Sequence, residues 1–437
     1  MRVAVYGTGH VGLITCVTMA EIGHEVCGTD ADEEKVALLK DGKSPFYEPG
    51  LEDLLHKGLD NGRLEFTNDP EEVVADREVL FICVGTPPKA SGKANLVAVE
   101  EVARDIARHA TGPSVVAEKS TVPAGTSARV KRTLARERPD LAEHLNVVSN
   151  PEFLREGKAI EDSLTPERIL VGADSEEGFA IMRRLYEPIT NNGALLIETD
   201  IATAELAKHA CNAFLAMKIS FANALARISE RAGADVVKIA DVMGSDSRIG
   251  RAFLNAGLGY GGYCFPKDLQ AFDRLAHQLG YDFALLREVA RINEEAVQAC
   301  HDKIEHALWN LEGKRIALLG LAFKPETDDV RLSPSLSLAR KLLADGAHVV
   351  GYDPQALPNA KGEVPELEIA NDPYEAAEGA HCLVIATDWK EFVELDMARI
   401  KSALAYPVIV DGRNIYDPKE MAALGFNYFP TGRNPVH

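Results

Sequence analysis

A short apolar run, Val3-Ala-Val-Tyr6, leads into Gly7-Thr-Gly9-His-Val-Gly12, and an apolar helical stretch follows from Val11 to about Ile22. Strand, glycine turn and helix in this order confine the N-terminal segment to a dinucleotide-binding βαβ unit. Gly7 makes the turn, Gly9 lets a pyrophosphate approach the backbone, and Gly12 lets the helix pack on the strand. A second run, Glu25-Val-Cys-Gly-Thr29, ends at Asp30, eighteen residues after Gly12. That is about where an acidic side chain accepts from the ribose hydroxyls. Residues 31–34, Ala-Asp-Glu-Glu, supply no arginine for a 2′-phosphate, so the expected cofactor is NAD and not NADP.

Further strand-like runs at 79–84, 114–118 and 145–149 alternate with helical stretches and predict a parallel sheet through about residue 200. Ligands bind beyond the carboxyl edge of such a sheet. Thr86, in Gly85-Thr-Pro87, and Thr121, in Ser120-Thr-Val-Pro123, are therefore placed to touch the cofactor, turn capping being the other reading of each. From about 201 the pattern turns to long helices. Between Ala210 and Ile228 only Lys218 and Arg227 are charged, so this helix needs cover on most sides, either between domains or, more simply, from a second copy of the chain.

A second α/β unit then repeats the first in outline. Arg315–Gly320 parallels Arg2–Gly7, Ala347–Asp353 parallels His24–Asp30, and Leu383–Thr387 parallels Leu80–Thr86. It has Gly320-Leu-Ala-Phe-Lys324 in place of the glycine fingerprint and is expected to hold a different nucleotide, with Lys324 meeting phosphate. The predicted fold is α/β, two Rossmann-like doubly wound parallel-sheet domains joined by a central helical domain, with bounds 1–200, 201–300 and 301–437.

The chain of 437 residues carries 47 basic against 67 acidic side chains, a net −20, which disfavours a nucleic-acid partner and requires a local basic pocket for any anionic ligand. No cationic leader with an apolar core and no long apolar span is present, so no membrane association is expected and the chain reads as cytoplasmic. Seven cysteines, at 16, 27, 83, 211, 264, 300 and 382, show no paired spacing for a metal or for disulfides. Six read as packing residues and one as chemistry.

The exception is Cys264, in Gly257-Leu-Gly-Tyr-Gly-Gly-Tyr-Cys-Phe-Pro-Lys-Asp268. Glycines allow close backbone approach to a ligand, and Lys267 could help hold the thiol as thiolate, the form that attacks carbon. Lys208 and Asn212, four apart on one helix, share a face that continues through Leu215 and Ile219. A buried ammonium there needs a partner, either a developing oxyanion or a structural carboxylate. Asn150-Pro-Glu152-Phe-Leu-Arg-Glu156-Gly157 reads as a helix start, with Asn150 as cap and Pro151 in the first turn. Glu152 and Glu156 then lie one turn apart, either stabilising the helix dipole or facing the cofactor crevice.

These motifs, with Phe46-Tyr-Glu-Pro-Gly-Leu51, Arg248-Ile-Gly250 and Asp328-Asp-Val-Arg331, make the chain closely similar to the UDP-glucose and GDP-mannose dehydrogenase family over essentially its whole length. The resemblance implies NAD-dependent, four-electron oxidation of a sugar-nucleotide primary alcohol to a carboxylate through a Cys264 thioester. UDP-glucose is the expected substrate, and GDP-mannose or UDP-N-acetylmannosamine are alternatives. It implies that Lys208 and Asn212 stabilise oxyanions, that Glu152 is the base of hydrolysis, and that Asp268 and Thr121 support the water network. It further implies an NAD site of Val11, Asp30, Lys35, Thr86, Thr121, Glu156, Lys267 and Arg331 beside the glycines. The sugar-nucleotide site it implies contains Glu152, Phe153, Leu154, Arg155, Glu156, Lys208, Asn212, Phe253, Leu254, Asn255, Ala256, Gly257, Gly261 and Lys324. The chain departs from the family pattern at Tyr263, where serine is usual, at Ala224, where glutamate is usual, and at His10, where tyrosine is usual. Two other readings stay open on the residues alone, a two-electron hydroxyacid dehydrogenase and a non-catalytic nucleotide sensor.

Overall fold

The computed structural model describes residues 1–90 and 92–437, which gather into two compact units. One consists of Met1–Cys211 with Gln270–Tyr281, the other of Asn212–Leu269 with Asp282–His437.

The first unit is built on eight strands: β1 Arg2–Tyr6, β2 Glu25–Thr29, β3 Leu64–Phe66, β4 Val79–Ile82, β5 Ser114–Glu118, β6 Leu145–Ser149, β7 Arg168–Ala173 and β8 Leu195–Thr199. Their order is β3-β2-β1-β4-β5-β6-β7-β8. Val3 and Val5 of β1 enter one apolar layer and Ala4 and Tyr6 the other, the two-residue alternation of a strand covered on both faces. The expectation of a parallel sheet through residue 200 needs one correction. β7 runs antiparallel to β6, pairing Val148 with Ala173 and Ser149 with Gly172. β8 pairs parallel with β7, so the last two strands both run opposite to the six parallel strands before them.

The second unit carries β9 Arg315–Leu319, β10 His348–Tyr352, β11 Glu368–Ile369, β12 Cys382–Ile385, β13 Val408–Asp411 and β14 Asn427–Pro430, all parallel, in the order β11-β10-β9-β12-β13-β14. Ile316 and Leu318 face one apolar cluster, Ala317 and Leu319 the other. The repeat seen in the sequence extends to hydrogen bonds. Asp30 at the end of β2 accepts from the Thr8 amide at 2.8 Å, and Asp353 at the end of β10 accepts from the Leu321 and Ala322 amides at 2.8 and 3.0 Å. In each half an aspartate ties the strand-to-helix turn to the neighbouring strand. Gly7 and Gly320 take left-handed φ of 90° and 94°, and a Cβ on Gly320 would lie 1.9 Å from the Thr387 hydroxyl.

The helices Ile201–Ala232 and Ala284–Leu308 are the long elements of the chain. No helix among the described residues is long and apolar enough to cross a membrane.

Candidate active site

In the first unit the residues singled out from the sequence collect at the carboxyl edge of the sheet. The helix His10–Glu21 starts immediately after Gly9, whose α-carbon faces open space, whereas a Cβ on Gly12 would come within 1.7 Å of the Gly7 carbonyl. The turn is thus closed on its packing side and open where an anion would meet the helix N-terminus. Val11 lies half-buried in the first turn of that helix, against the apolar layer. Asp30 Oδ2 accepts from the Thr8 amide and hydroxyl and from Lys35 Nζ at 2.8–2.9 Å, and Oδ1 from the Asp32 amide at 3.1 Å. Burial pulls the Asp30 pKa upward, and these hydrogen bonds outweigh it, so the carboxyl titrates below its ordinary value. Thr86 donates its hydroxyl to the Thr121 carbonyl at 2.9 Å, joining the loops that follow β4 and β5. This cradle fits a dinucleotide.

Because Asp30 holds the glycine turn and would repel a 2′-phosphate, Asp30→Ala is expected to weaken NAD use and to narrow the NAD-over-NADP preference. Comparable kcat/KM for the two cofactors in the unaltered enzyme would contradict that role.

Beyond β6 the structure overturns the expected helix start. Residues 150–158 contain no helix; the next one is Ala159–Leu164. Side-chain carboxylates satisfy the amides that a helix turn would have left exposed. Glu152 Oε2 accepts from Leu154 at 2.7 Å, Asp162 from Arg155 at 2.8 Å, and the buried Glu48 from Gly157 and Ala159 at 2.6 and 2.7 Å. Asn150 caps nothing; its amide donates to the Leu170 carbonyl at 2.8 Å. Gly157, at φ 77°, completes the irregular turn. Glu152 and Glu156 therefore belong to a loop and do not lie one helical turn apart.

That loop carries the main charge pair of this half. Glu152 Oε1 meets Lys208 Nζ at 3.0 Å, both side chains being under 10% exposed, and the ammonium also lies 5.1 Å from the centre of the Phe153 ring. Arg155, by contrast, turns its guanidinium to Asp162 at the surface. Leu154 and Glu156 are half-buried in the same loop.

In the second unit Cys264 is the first residue of the helix Cys264–Gln278, directly after the glycine loop. The helix N-terminus favours an anion there. Of seven free cysteines it alone is exposed. Burial pushes the thiols of Cys27, Cys83 and Cys300 up to about 12, which leaves them protonated and inert at neutral pH. One turn on, the buried Asp268 accepts from the Asn212 amide at 2.6 Å and pairs with Lys267 Nζ at 3.0 Å. The glycine loop is held by backbone and amide contacts. The Gly257 amide donates to Asn223 at 2.8 Å, and Tyr260 exchanges hydrogen bonds with Asn293. A Cβ on Gly261 would sit 2.5 Å from the Leu332 carbonyl. Phe253 adopts φ 64° while Leu254 and Ala256 are buried and Asn255 accepts from Arg251. Lys324 Nζ lies 5.7 Å over the Phe323 ring. Arg331 is gripped by Asp329 through three contacts of 2.7–3.0 Å.

Several supporting groups were given no role by the sequence reading, although Glu48 lies in the Phe46–Leu51 motif. Glu48 fixes the Glu152 loop, and Glu205, one turn before Lys208, accepts from the Ser127 amide and hydroxyl and the Gly125 amide, anchoring the segment after Thr121. His209 reaches the Val122 carbonyl at 3.0 Å. Glu118, at the end of β5, is pushed up to about 8 by burial, with Glu205 nearby adding to the rise and hydrogen bonds from Ser120 opposing it. Arg413 stands beside Gly257, 3.1 Å from where a Cβ would be. None belongs to a glycine or cysteine motif; helical spacing puts Glu205, three residues before Lys208, on the Lys208 face, and gives no such signal for His209.

Three family models cover the chain: the UDP-glucose/GDP-mannose dehydrogenase NAD binding domain at residues 1–190, the central domain at 202–295 and the UDP binding domain at 317–418. The chain is 44% identical to the UDP-glucose 6-dehydrogenase TuaD of Bacillus subtilis, covering 100% of this chain and 94% of that one. It is 45% identical to the UDP-glucose 6-dehydrogenase of Rhizobium meliloti over 99% of this chain and 100% of that one. Among solved structures, a UDP-glucose dehydrogenase from Pyrobaculum islandicum superposes with TM-score 0.91 at 38% identity, covering 99% of this chain and 98% of its own.

Proposed function

The chain belongs to the UDP-glucose/GDP-mannose dehydrogenase family, and on that premise we propose that it oxidises UDP-glucose to UDP-glucuronate with NAD as cofactor, through a thioester on Cys264. The observation that carries this reading is the setting of Cys264: the one exposed thiol, at a helix N-terminus, one turn from a buried Asp268 that is paired with Lys267 and Asn212. We assign NAD binding to residues 1–200, the thiol loop and self-association to 201–300, and nucleotide-sugar binding to 301–437, with Lys324 on phosphate.

NAD, when bound, accepts the hydride removed at each of the two oxidation stages. The Gly7–Gly12 turn, Asp30 with Lys35, Thr86, Thr121, Glu156, Lys267 and Arg331 would hold it. The chain's own work lies between those stages. The Cys264 thiolate forms a bond to C6 of the aldehyde, the carbonyl pair moves to oxygen, and Lys208 and Asn212 donate to the resulting oxyanion. After the second oxidation C6 is an acyl thioester. Water attacks it, Glu152 takes the proton, and the C–S bond breaks to return the thiolate and release the acid. Asp268 and Thr121 orient the groups that hold the water. The Glu152–Lys208 pair suits both duties, because a lysine neutralised by a carboxylate can rest buried until an oxyanion forms.

Titration of the purified protein with UDP-glucose, GDP-mannose and UDP-N-acetylmannosamine, followed by NADH absorbance, tests the substrate. The highest kcat/KM is expected with UDP-glucose. A higher value for either competitor overturns the choice of sugar, and no NADH with any of them restores the nucleotide-sensor reading.

The same reading includes a homodimer. Phe214, Phe221 and Ile228 recur every seven residues along the helix Ile201–Ala232 and are 58%, 51% and 61% exposed, a stripe that a second copy would cover. Phe221→Glu is expected to convert the dimer to monomer in light scattering. A monomeric unaltered chain would contradict this assignment.

A further inference from the structure

We propose that Tyr263 is a cofactor-positioning residue: its ring gathers Lys267 and Arg331, two cations that would otherwise repel, into one NAD-binding element beside Cys264. This rests on the assignment of Lys267 and Arg331 to NAD made above. The Arg331 guanidinium lies 4.8 Å from the centre of the Tyr263 ring, and Lys267 Nζ lies 5.4 Å from it. Both distances are within the range at which an aromatic face attracts a cation. Each cation is also held by a carboxylate, Arg331 by Asp329 at 2.7–3.0 Å and Lys267 by the buried Asp268 at 3.0 Å. The ring thus closes a chain of contacts that runs Asp329, Arg331, Tyr263, Lys267, Asp268 and ends on Asn212.

Backbone geometry fixes the ring in that position. The Gly262 amide donates to the Arg331 carbonyl at 3.0 Å, tying the residue before Tyr263 to the arginine itself. Gly262 takes φ 75°, and a Cβ there would press on the Phe323 ring at 2.9 Å, so the loop lies flat against this segment. The phenol is half-buried, and burial raises its pKa while Lys267 and Arg331 lower it, in keeping with a neutral ring facing two positive charges. Serine at this position would reach neither cation. Tyr263 therefore acts through the two cations assigned to the cofactor.

The test compares Tyr263→Ser with Tyr263→Phe, which keeps the ring and removes only the hydroxyl. Equilibrium Kd values for NAD and, separately, for UDP-glucose are measured by calorimetry on the full chain, with circular dichroism and thermal melting to confirm folding. Tyr263→Ser is expected to raise the Kd for NAD about tenfold and leave that for UDP-glucose within about twofold, while Tyr263→Phe binds both as the unaltered chain does. The proposal is overturned if Tyr263→Ser binds NAD normally, if only UDP-glucose binding changes, or if Tyr263→Phe is as weak as Tyr263→Ser. These outcomes are read without turnover. A chain that binds NAD as described yet makes no NADH from any sugar nucleotide would refute the proposed function and leave this inference standing.

Discussion

Cys264→Ala is expected to abolish formation of the acid, lowering its rate by several powers of ten, because covalent catalysis divides one difficult step into two easier ones and no other thiol can substitute. Cys211 is half-buried, and the remaining five cysteines are buried. The first oxidation needs no thiol. The variant should therefore still bind UDP-glucose and NAD and slowly interconvert the alcohol and aldehyde levels. Cys264→Ser keeps an oxygen nucleophile but would form an ester, whose alkoxide leaves less readily than a thiolate, and should hold the acyl intermediate. Chromatography of the nucleotide products against time separates these cases. Near-normal UDP-glucuronate from Cys264→Ala, with two NADH per acid, would make the thiol structural.

Glu152→Gln is expected to give a burst of NADH and then stall with substrate held as thioester, since the amide cannot take the proton from the attacking water. The substitution also removes the negative partner of a buried ammonium. Leaving such a charge unpaired costs on the order of 3–5 kcal/mol, although the glutamine carbonyl can still accept from Lys208. A lower melting temperature should thus accompany the stall, and the burst shows that the stalled enzyme is folded. A slow steady rate without a burst, and a Cys264 peptide of unmodified mass, would remove Glu152 from hydrolysis.

The fold was legible in the sequence where local pattern and topology agree. β1 and β2, the glycine turn between them, and their counterparts β9 and β10 are apolar runs closed by glycine and aspartate, and each reads correctly without its neighbours. β3, of three residues, and the antiparallel seam between β6 and β7 were not legible, because pairing direction is set by the path of the chain and not by composition. The helix expected at Asn150 failed for a related reason. Asn-Pro-Glu is a sound helix start taken alone, and it lost to acceptors more than a hundred residues away in sequence, Glu48 on Gly157 and Ala159.

The site divides in the same way. Glycines, Asp30 and Cys264 announce themselves because their chemistry requires a residue type at a fixed spacing. Lys208 was placed on the correct buried helix face by its four-residue interval with Asn212, but the sequence left its partner undecided between an oxyanion and a carboxylate; the resting partner is Glu152. Tyr263 stood out only as a departure; its contact with Lys267 is local, four residues on, and its contact with Arg331 comes from the meeting of the glycine loop with the segment around that arginine.

The central claim is that one active thiol carries a single substrate through two successive oxidations. Its most direct measurement is the number of NADH formed per UDP-glucose consumed, with UDP-glucuronate quantified in the same reaction run to completion. The account predicts two NADH and one acid for each UDP-glucose. One NADH per substrate, with the product at the aldehyde level, would contradict it and favour a two-electron dehydrogenase in which Cys264 takes no chemical part.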